Sequence, residues 1–279
     1  MDAPRTPNRW QRFWGRGGWW RAILLAVVYL VLYQAGSLLF APLLEGLDVD
    51  SPGYIVVTVL LPVLLGSTLL LVFSGSLGWL GVLFGKHRLA ARGWMWIAVG
   101  AVLLFNVLRM MSVDYGAAGG ATVLAWLCAG LAIGLAEELL TRGLVVQLMR
   151  RAGYREFIVA LASATLFSLL HASNLISGQS VLVTGIQLLY TFAFGVCMYL
   201  TLRVTGRLIW PILLHATTDP SIFLLSAYPT ASPLSAIAGL GNFVVIAVGF
   251  ITLWCIRGQV TAEYGQFGAS RQASGTSLM

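Results

Sequence analysis

Charge is what this sequence has least of. Only 10% of its 279 residues are Asp, Glu, Lys or Arg, whereas 58% are hydrophobic and the mean hydropathy is +0.86. A soluble domain carries roughly 25% charged residues, so an ordinary water-soluble fold is excluded. Cysteine is also rare: Cys128, Cys197 and Cys255 each stand alone in an apolar run, with no CxxC or paired metal-ligand spacing. That excludes a disulfide framework or a thiolate metal site, and the three read as small buried hydrophobes. The ten-residue alternation of an outer-membrane barrel is absent. No repeat supports an inverted-repeat transporter. Lysine is nearly missing, since Lys86 is the sole one and the other basic residues are arginine.

What the chain has instead is apolar runs of about twenty residues separated by short polar breaks, the length a helix needs to cross a hydrocarbon core. Spans are expected at about 22–44, 54–74, 94–113, 121–140, 156–172, 180–202, 208–227 and 235–256. The fold class is therefore an all-α polytopic membrane protein with eight transmembrane helices. Residues 1–21 form a basic and aromatic segment suited to the headgroup layer, 22–256 the transmembrane domain, and 257–279 a polar tail expected to be disordered. The net charge of +7 does not point to nucleic acid. With eight spans, every Lys and Arg except Arg109 falls on the side of both termini, while Glu45, Asp48, Asp50 and Asp114 lie opposite. By the positive-inside rule both termini are cytoplasmic. Arginine over lysine and abundant Ala and Gly fit a bacterial inner membrane.

Few ionisable groups remain within or beside spans: Arg109, Glu137, Glu138, Arg142, His171, His215 and Asp219. Carboxylates in hydrocarbon cost at least ~2.5–3.5 kcal/mol each, so they need partners or a function. Glu138 and Arg142 lie one helical turn apart, as do Phe167 and His171, and His215 and Asp219. Arg142 can neutralise Glu138 within one helix. Glu137 points about 100° away and is left without a partner on its own helix. A carboxylate so placed is a candidate general base. Asn106 and Arg109 read as a polar pair that makes helix contacts or snorkels toward Asp114.

Glu137-Glu138-x-x-x-Arg142, Phe167-x-x-x-His171 and His215-x-x-x-Asp219, in that order on separate helices, resemble the three motifs of the CAAX-protease and bacteriocin-processing (CPBP, or Abi) family of intramembrane proteases. The resemblance covers about residues 121–226. It implies hydrolysis of a peptide bond in a membrane-associated peptide or protein substrate. Glu137 would activate water, with His171, His215 and Asp219 as further catalytic residues. Glu138, Arg142 and Phe167 would be structural support. In that family the third motif ends in Asn or Asp; here it is Asp219, which has no amide donor. The resemblance leaves two mechanisms open: Zn²⁺ held by His171 and His215, or metal-free, glutamate-driven chemistry on the same side chains. Two other classes stay open: a catalytically silent scaffold or immunity protein of the same fold, and a proton or ion relay through Glu137, His171, His215 and Asp219.

Counting ~1.5 Å per residue from the flanking arginines puts His171 deeper than Glu137, and Glu137 deeper than His215. A single site therefore requires the fifth helix to tilt or its start to be drawn inward. Convergence in a water-accessible cavity in the cytoplasmic half of the bilayer is the expectation.

Overall fold

The structure, a computed structural model, describes residues 6–87 and 91–256, which are helical with no β-strand among them. The expected tail at 257–279 lies outside the described residues. Short α1 (Arg9–Gly15) starts at Asn8, whose side chain accepts from Gln11 N while Gln11 caps Asn8 in return. It leads into α2 (Trp19–Ser37). The next long segment joins α3 (Pro52–Ile55), a π turn (Val56–Leu60) and α4 (Leu61–Ser76), then short α5 (Leu80–Phe84). After α6 (Trp96–Met111) and short α7 (Tyr115–Ala118), α8 (Gly120–Glu138) runs through a π segment (Leu139–Val145) into α9 (Val146–Arg151). The last part holds α10 (Glu156–Leu170), a 3-10 turn (His171–Leu175), α11 (Val181–Thr205), α12 (Ile209–Ala227), α13 (Pro233–Gly239) and α14 (Gly241–Cys255).

Among the described residues seven segments are long and apolar enough to cross a membrane: Trp19–Leu44, Pro52–Ser76, Gly93–Met111, Gly120–Arg151, Glu156–Leu175, Val181–Thr205 and Pro233–Cys255. The span expected at 208–227 corresponds to helix α12 (Ile209–Ala227), which is not one of the seven. Its polar content explains why: His215, Thr217, Thr218, Asp219 and Ser221 sit together on one helix with Pro211 and Pro220. Large apolar side chains such as Val31, Val72, Leu131 and Ile251 point outward, as expected of surfaces that face lipid.

Helix α12 is clasped by α8, and glycine makes the contact possible. A Cβ on Gly130 would lie 2.5 Å from the Ala216 carbonyl oxygen, and one on Gly134 would lie 2.6 Å from that of Ile212. The Gly130-x-x-x-Gly134 spacing thus brings two helices of the same chain into backbone contact. From the other side Asn106 on α6 donates to Leu214 O (3.3 Å), Thr217 Oγ1 (3.0 Å) and Thr218 Oγ1 (2.8 Å). Arg109 reaches Asn242 Oδ1 on α14 at 2.8 Å; Asp114 instead caps α7 by accepting from Ala117 N. The Asn106–Arg109 pair therefore makes helix contacts, and Arg109 finds its partner within the bundle.

Arg150 and Arg203, counted in the sequence among the charges on the side of both termini, do not sit free at the surface. Both are buried, and Glu156 at the start of α10 takes Arg150 in a bidentate pair at 2.9 Å and Arg203 at 3.3 Å, with Tyr199 also on its carboxylate. The fifth span thus begins at a buried ion-pair cluster.

Candidate active site

The site is assembled where α8, α10 and α12 meet, and His215 is its hub. Its Nδ1 is 2.8 Å from Glu138 Oε1, so Nδ1–H donates to a carboxylate that is itself fully buried. Its Nε2 faces Glu137 Oε2 at 3.6 Å and Asp219 Oδ2 at 3.8 Å. Both distances are longer than a hydrogen bond. One imidazole therefore touches both acids of the first motif and the acid of the third.

Glu138 has a double task. The same oxygen that receives His215 also pairs with Arg142 Nη1 at 3.2 Å, so the expected ion pair is present. What the spacing alone did not disclose is that Glu138, and not Asp219, holds His215 Nδ1. Asp219 lies on the opposite edge of the ring. Arg142 further donates to Thr141 Oγ1, and Thr141 donates to the Glu137 carbonyl at 2.6 Å. These bonds fall where α8 widens into the π segment, a local change of helix geometry that recurs at functional sites. Ser163 Oγ, from α10, donates to the Thr141 carbonyl at 2.9 Å and ties the π segment to the helix that carries His171.

Phe167 is a partition. Its ring packs under the Arg142 guanidinium (4.4 Å), edge-on to His171 (5.0 Å) and edge-on to His215 (5.8 Å), with Phe194 closing the far side of His215 at 4.9 Å. A cation over an aromatic face in a desolvated setting contributes about 2 kcal/mol. His171 caps the end of α10, and its Nδ1 is 3.0 Å from the Phe167 carbonyl. Nδ1–H therefore donates there, and Nε2 remains as the acceptor nitrogen.

Glu137 and His171 line one cavity of about 130 Å³, together with Tyr29, Tyr33, Ser173 and Asn174. His215 and Asp219 stand behind it and are not in its lining. Glu137 is partly exposed while Glu138 is fully buried, so the two adjacent acids have different surroundings. Tyr29, Tyr33, Ser173 and Asn174 had not been singled out from the sequence. The four-residue spacing of Tyr29 and Tyr33 in an apolar helix was the available signal, since a phenol in a span needs a polar neighbour at its tip.

His171 and His215, the expected zinc ligands, both pack against the Phe167 ring. Among the described residues no group of three or more His, Cys, Asp or Glu is placed to hold a metal ion, and His215 Nδ1 already serves Glu138. The chemistry below is therefore written for the chain's own groups.

No curated protein and no solved structure matches the chain. A family model does, and it covers the segment that holds every motif from Glu137 to Asp219: residues 119–220 match the type II CAAX prenyl endopeptidase Rce1-like family, within the CAAX-protease group that the motifs resemble.

Proposed function

We propose that the protein is an intramembrane endopeptidase in which Glu137 activates water against a peptide bond of a membrane-associated substrate. The observation that carries this reading is the pairing of Glu137 with His171 on one cavity wall while His215 backs the same glutamate. In the reaction, Glu137 takes a proton from water as the water oxygen bonds to the scissile carbonyl carbon. The carbonyl electron pair moves onto oxygen. Collapse of the tetrahedral intermediate breaks the C–N bond, and the proton passes from Glu137 to the leaving amine. His171, held by the Phe167 carbonyl, orients the water from Nε2. His215, with Asp219 at its edge, sets the charge around Glu137.

The substrate class we favour is a lipid-modified peptide of the CAAX type named in the matching family. Beside the cavity, and sharing Tyr29 with it, lies an apolar groove of about 500 Å³ between α1, α2 and α4, walled by Phe13, Trp14, Leu25 and Leu70. Its volume and lining suit an isoprenoid or acyl chain. We further propose that α12 crosses the bilayer as an eighth span with both termini cytoplasmic, in a bacterial inner membrane. The grouping of the arginines supports this.

The test is cleavage of a farnesylated fluorogenic peptide by purified protein in lipid nanodiscs. Wild type cleaves it, and Glu137→Gln lowers kcat by about 10²–10⁴-fold with an unchanged melting curve. An unaffected Glu137→Gln enzyme would refute the assignment. Elemental analysis and chelation on the same active sample separate the metal-free route from zinc: full activity without stoichiometric metal supports the former.

A further inference from the structure

Hydrolysis generates an oxyanion, and the motif residues are poor in groups that can donate to it. Glu137 and Asp219 are acceptors when ionised, the Nδ1–H groups of His171 and His215 are spent on the Phe167 carbonyl and on Glu138, and His215 Nε2 is turned to Glu137 and Asp219. Among the other polar residues of the cavity, Ser173 Oγ donates to Leu170 O at 2.7 Å, and Asn174 Nδ2 is drawn to Gln187 Oε1 at 2.9 Å.

Tyr29 is different. It is 8% exposed, lines the cavity with Glu137 and His171, and its hydroxyl makes no hydrogen bond to any described residue. Two features hold the ring. It stacks on Tyr33 one turn away, with centroids 6.0 Å apart. Its tip is seated against Gly66 on α4, where a Cβ would come within 2.7 Å of the phenol oxygen. The ring also forms part of the apolar groove next door. A buried phenol O–H usually finds a partner, and this side chain borders both the groove and the cavity that holds Glu137 and His171.

We infer that Tyr29 is a catalytic residue whose phenol O–H donates a hydrogen bond to the carbonyl oxygen of the scissile peptide as it becomes an oxyanion. The inference rests on the endopeptidase reading and deepens it. A preorganised donor of this kind acts on the transition state more than on the bound substrate, because the charge appears only there.

The experiment compares wild type, Tyr29→Phe, Gly66→Ala and Glu137→Gln in nanodiscs with the farnesylated fluorogenic peptide, and measures binding of a phosphinate analogue of that peptide as a tetrahedral mimic. Tyr29→Phe keeps the ring and removes only the O–H. It is expected to lower kcat by about 10²–10³-fold, leave KM within threefold or so, and weaken the phosphinate by a factor similar to the loss in kcat. Gly66→Ala displaces the phenol without altering its chemistry and is expected to lower kcat in the same direction. Wild-type kcat in Tyr29→Phe, or a loss confined to KM, overturns the assignment while Glu137→Gln still reports on the protease reading. A wild type that cleaves nothing overturns both.

Discussion

His215 Nδ1 lies 2.8 Å from Glu138 Oε1, and this bond joins the third motif to the first across 77 residues of chain. Because the same oxygen also meets Arg142 at 3.2 Å, Glu138 is a three-way junction between α8, α12 and the π segment. A carboxylate there fixes the imidazole tautomer that presents Nε2 to Glu137 and Asp219.

Glu138→Gln and Glu138→Ala therefore have separable outcomes. Glutamine retains an oxygen that accepts from His215 Nδ1–H but leaves Arg142 without its counter-charge, and an orphaned buried charge costs about 3–5 kcal/mol. Alanine also releases His215. Thermal melting in nanodiscs should show both variants destabilised, whereas peptide cleavage per folded molecule should fall much further in Glu138→Ala. Equal activity in the two would show that the His215 contact has no catalytic consequence.

Asp219→Asn is expected to preserve cleavage within about tenfold, or ~1.4 kcal/mol in activation free energy. At 3.8 Å from His215 Nε2, Asp219 contributes charge without a directional hydrogen bond. Glu137 and Glu138 still flank the imidazole, and asparagine adds an amide donor at the same position. Asp219→Ala should lose more because it also removes the side chain's volume. A rate for Asp219→Asn as low as that of Glu137→Gln would contradict this.

The elements of the site were legible in the sequence because hydrocarbon makes polar residues conspicuous. Glu137, Glu138, Arg142, His171, His215 and Asp219 stood out by type and by i, i+4 spacing, and the structure groups them. Three things could not be read that way. The π segment after Glu138 changes helix geometry without any glycine or proline marking its start. The Glu156 cluster joins Arg150 and Arg203 across a separation of 47 residues between Glu156 and Arg203, so spacing gave no hint that these arginines are buried. The role of Glu138 toward His215 depends on where α12 sits, and that is set by Gly130 and Gly134, whose spacing looked like one of many in a chain with 31 glycines.

Asn106→Ala should loosen α12 from outside the site. Asn106 makes its three contacts to Leu214 and the two threonines just before Asp219, and losing hydrogen bonds to buried groups costs about 1–3 kcal/mol. Melting should fall by that amount. Because His215 and Asp219 both ride on α12, the apparent affinity for the phosphinate peptide should fall with it. A stability loss with unchanged inhibitor binding would show that α12 keeps its position without this tether.

Gly134→Leu tests whether the approach of α8 to α12 sets the site. Even a Cβ at residue 134 would come within 2.6 Å of the Ile212 carbonyl and 2.9 Å of the Ala216 amide nitrogen. These are backbone atoms, so no rotamer change relieves the clash and the helices must part. Overpacking of this kind typically costs about 1–3 kcal/mol. The larger consequence is geometric. His215 lies on the stretch of α12 that would move, so separating the helices lengthens its 2.8 Å contact with Glu138 and its approach to Glu137. Cleavage should drop at least as far as in Glu138→Ala while the protein remains folded in nanodiscs. Gly100→Leu, on α6 with nothing within 4 Å of its Cβ position, should leave both melting and cleavage near wild type. Comparable losses at the two glycines would mean that bulk in a span, and not the α8–α12 contact, is what the enzyme does not tolerate.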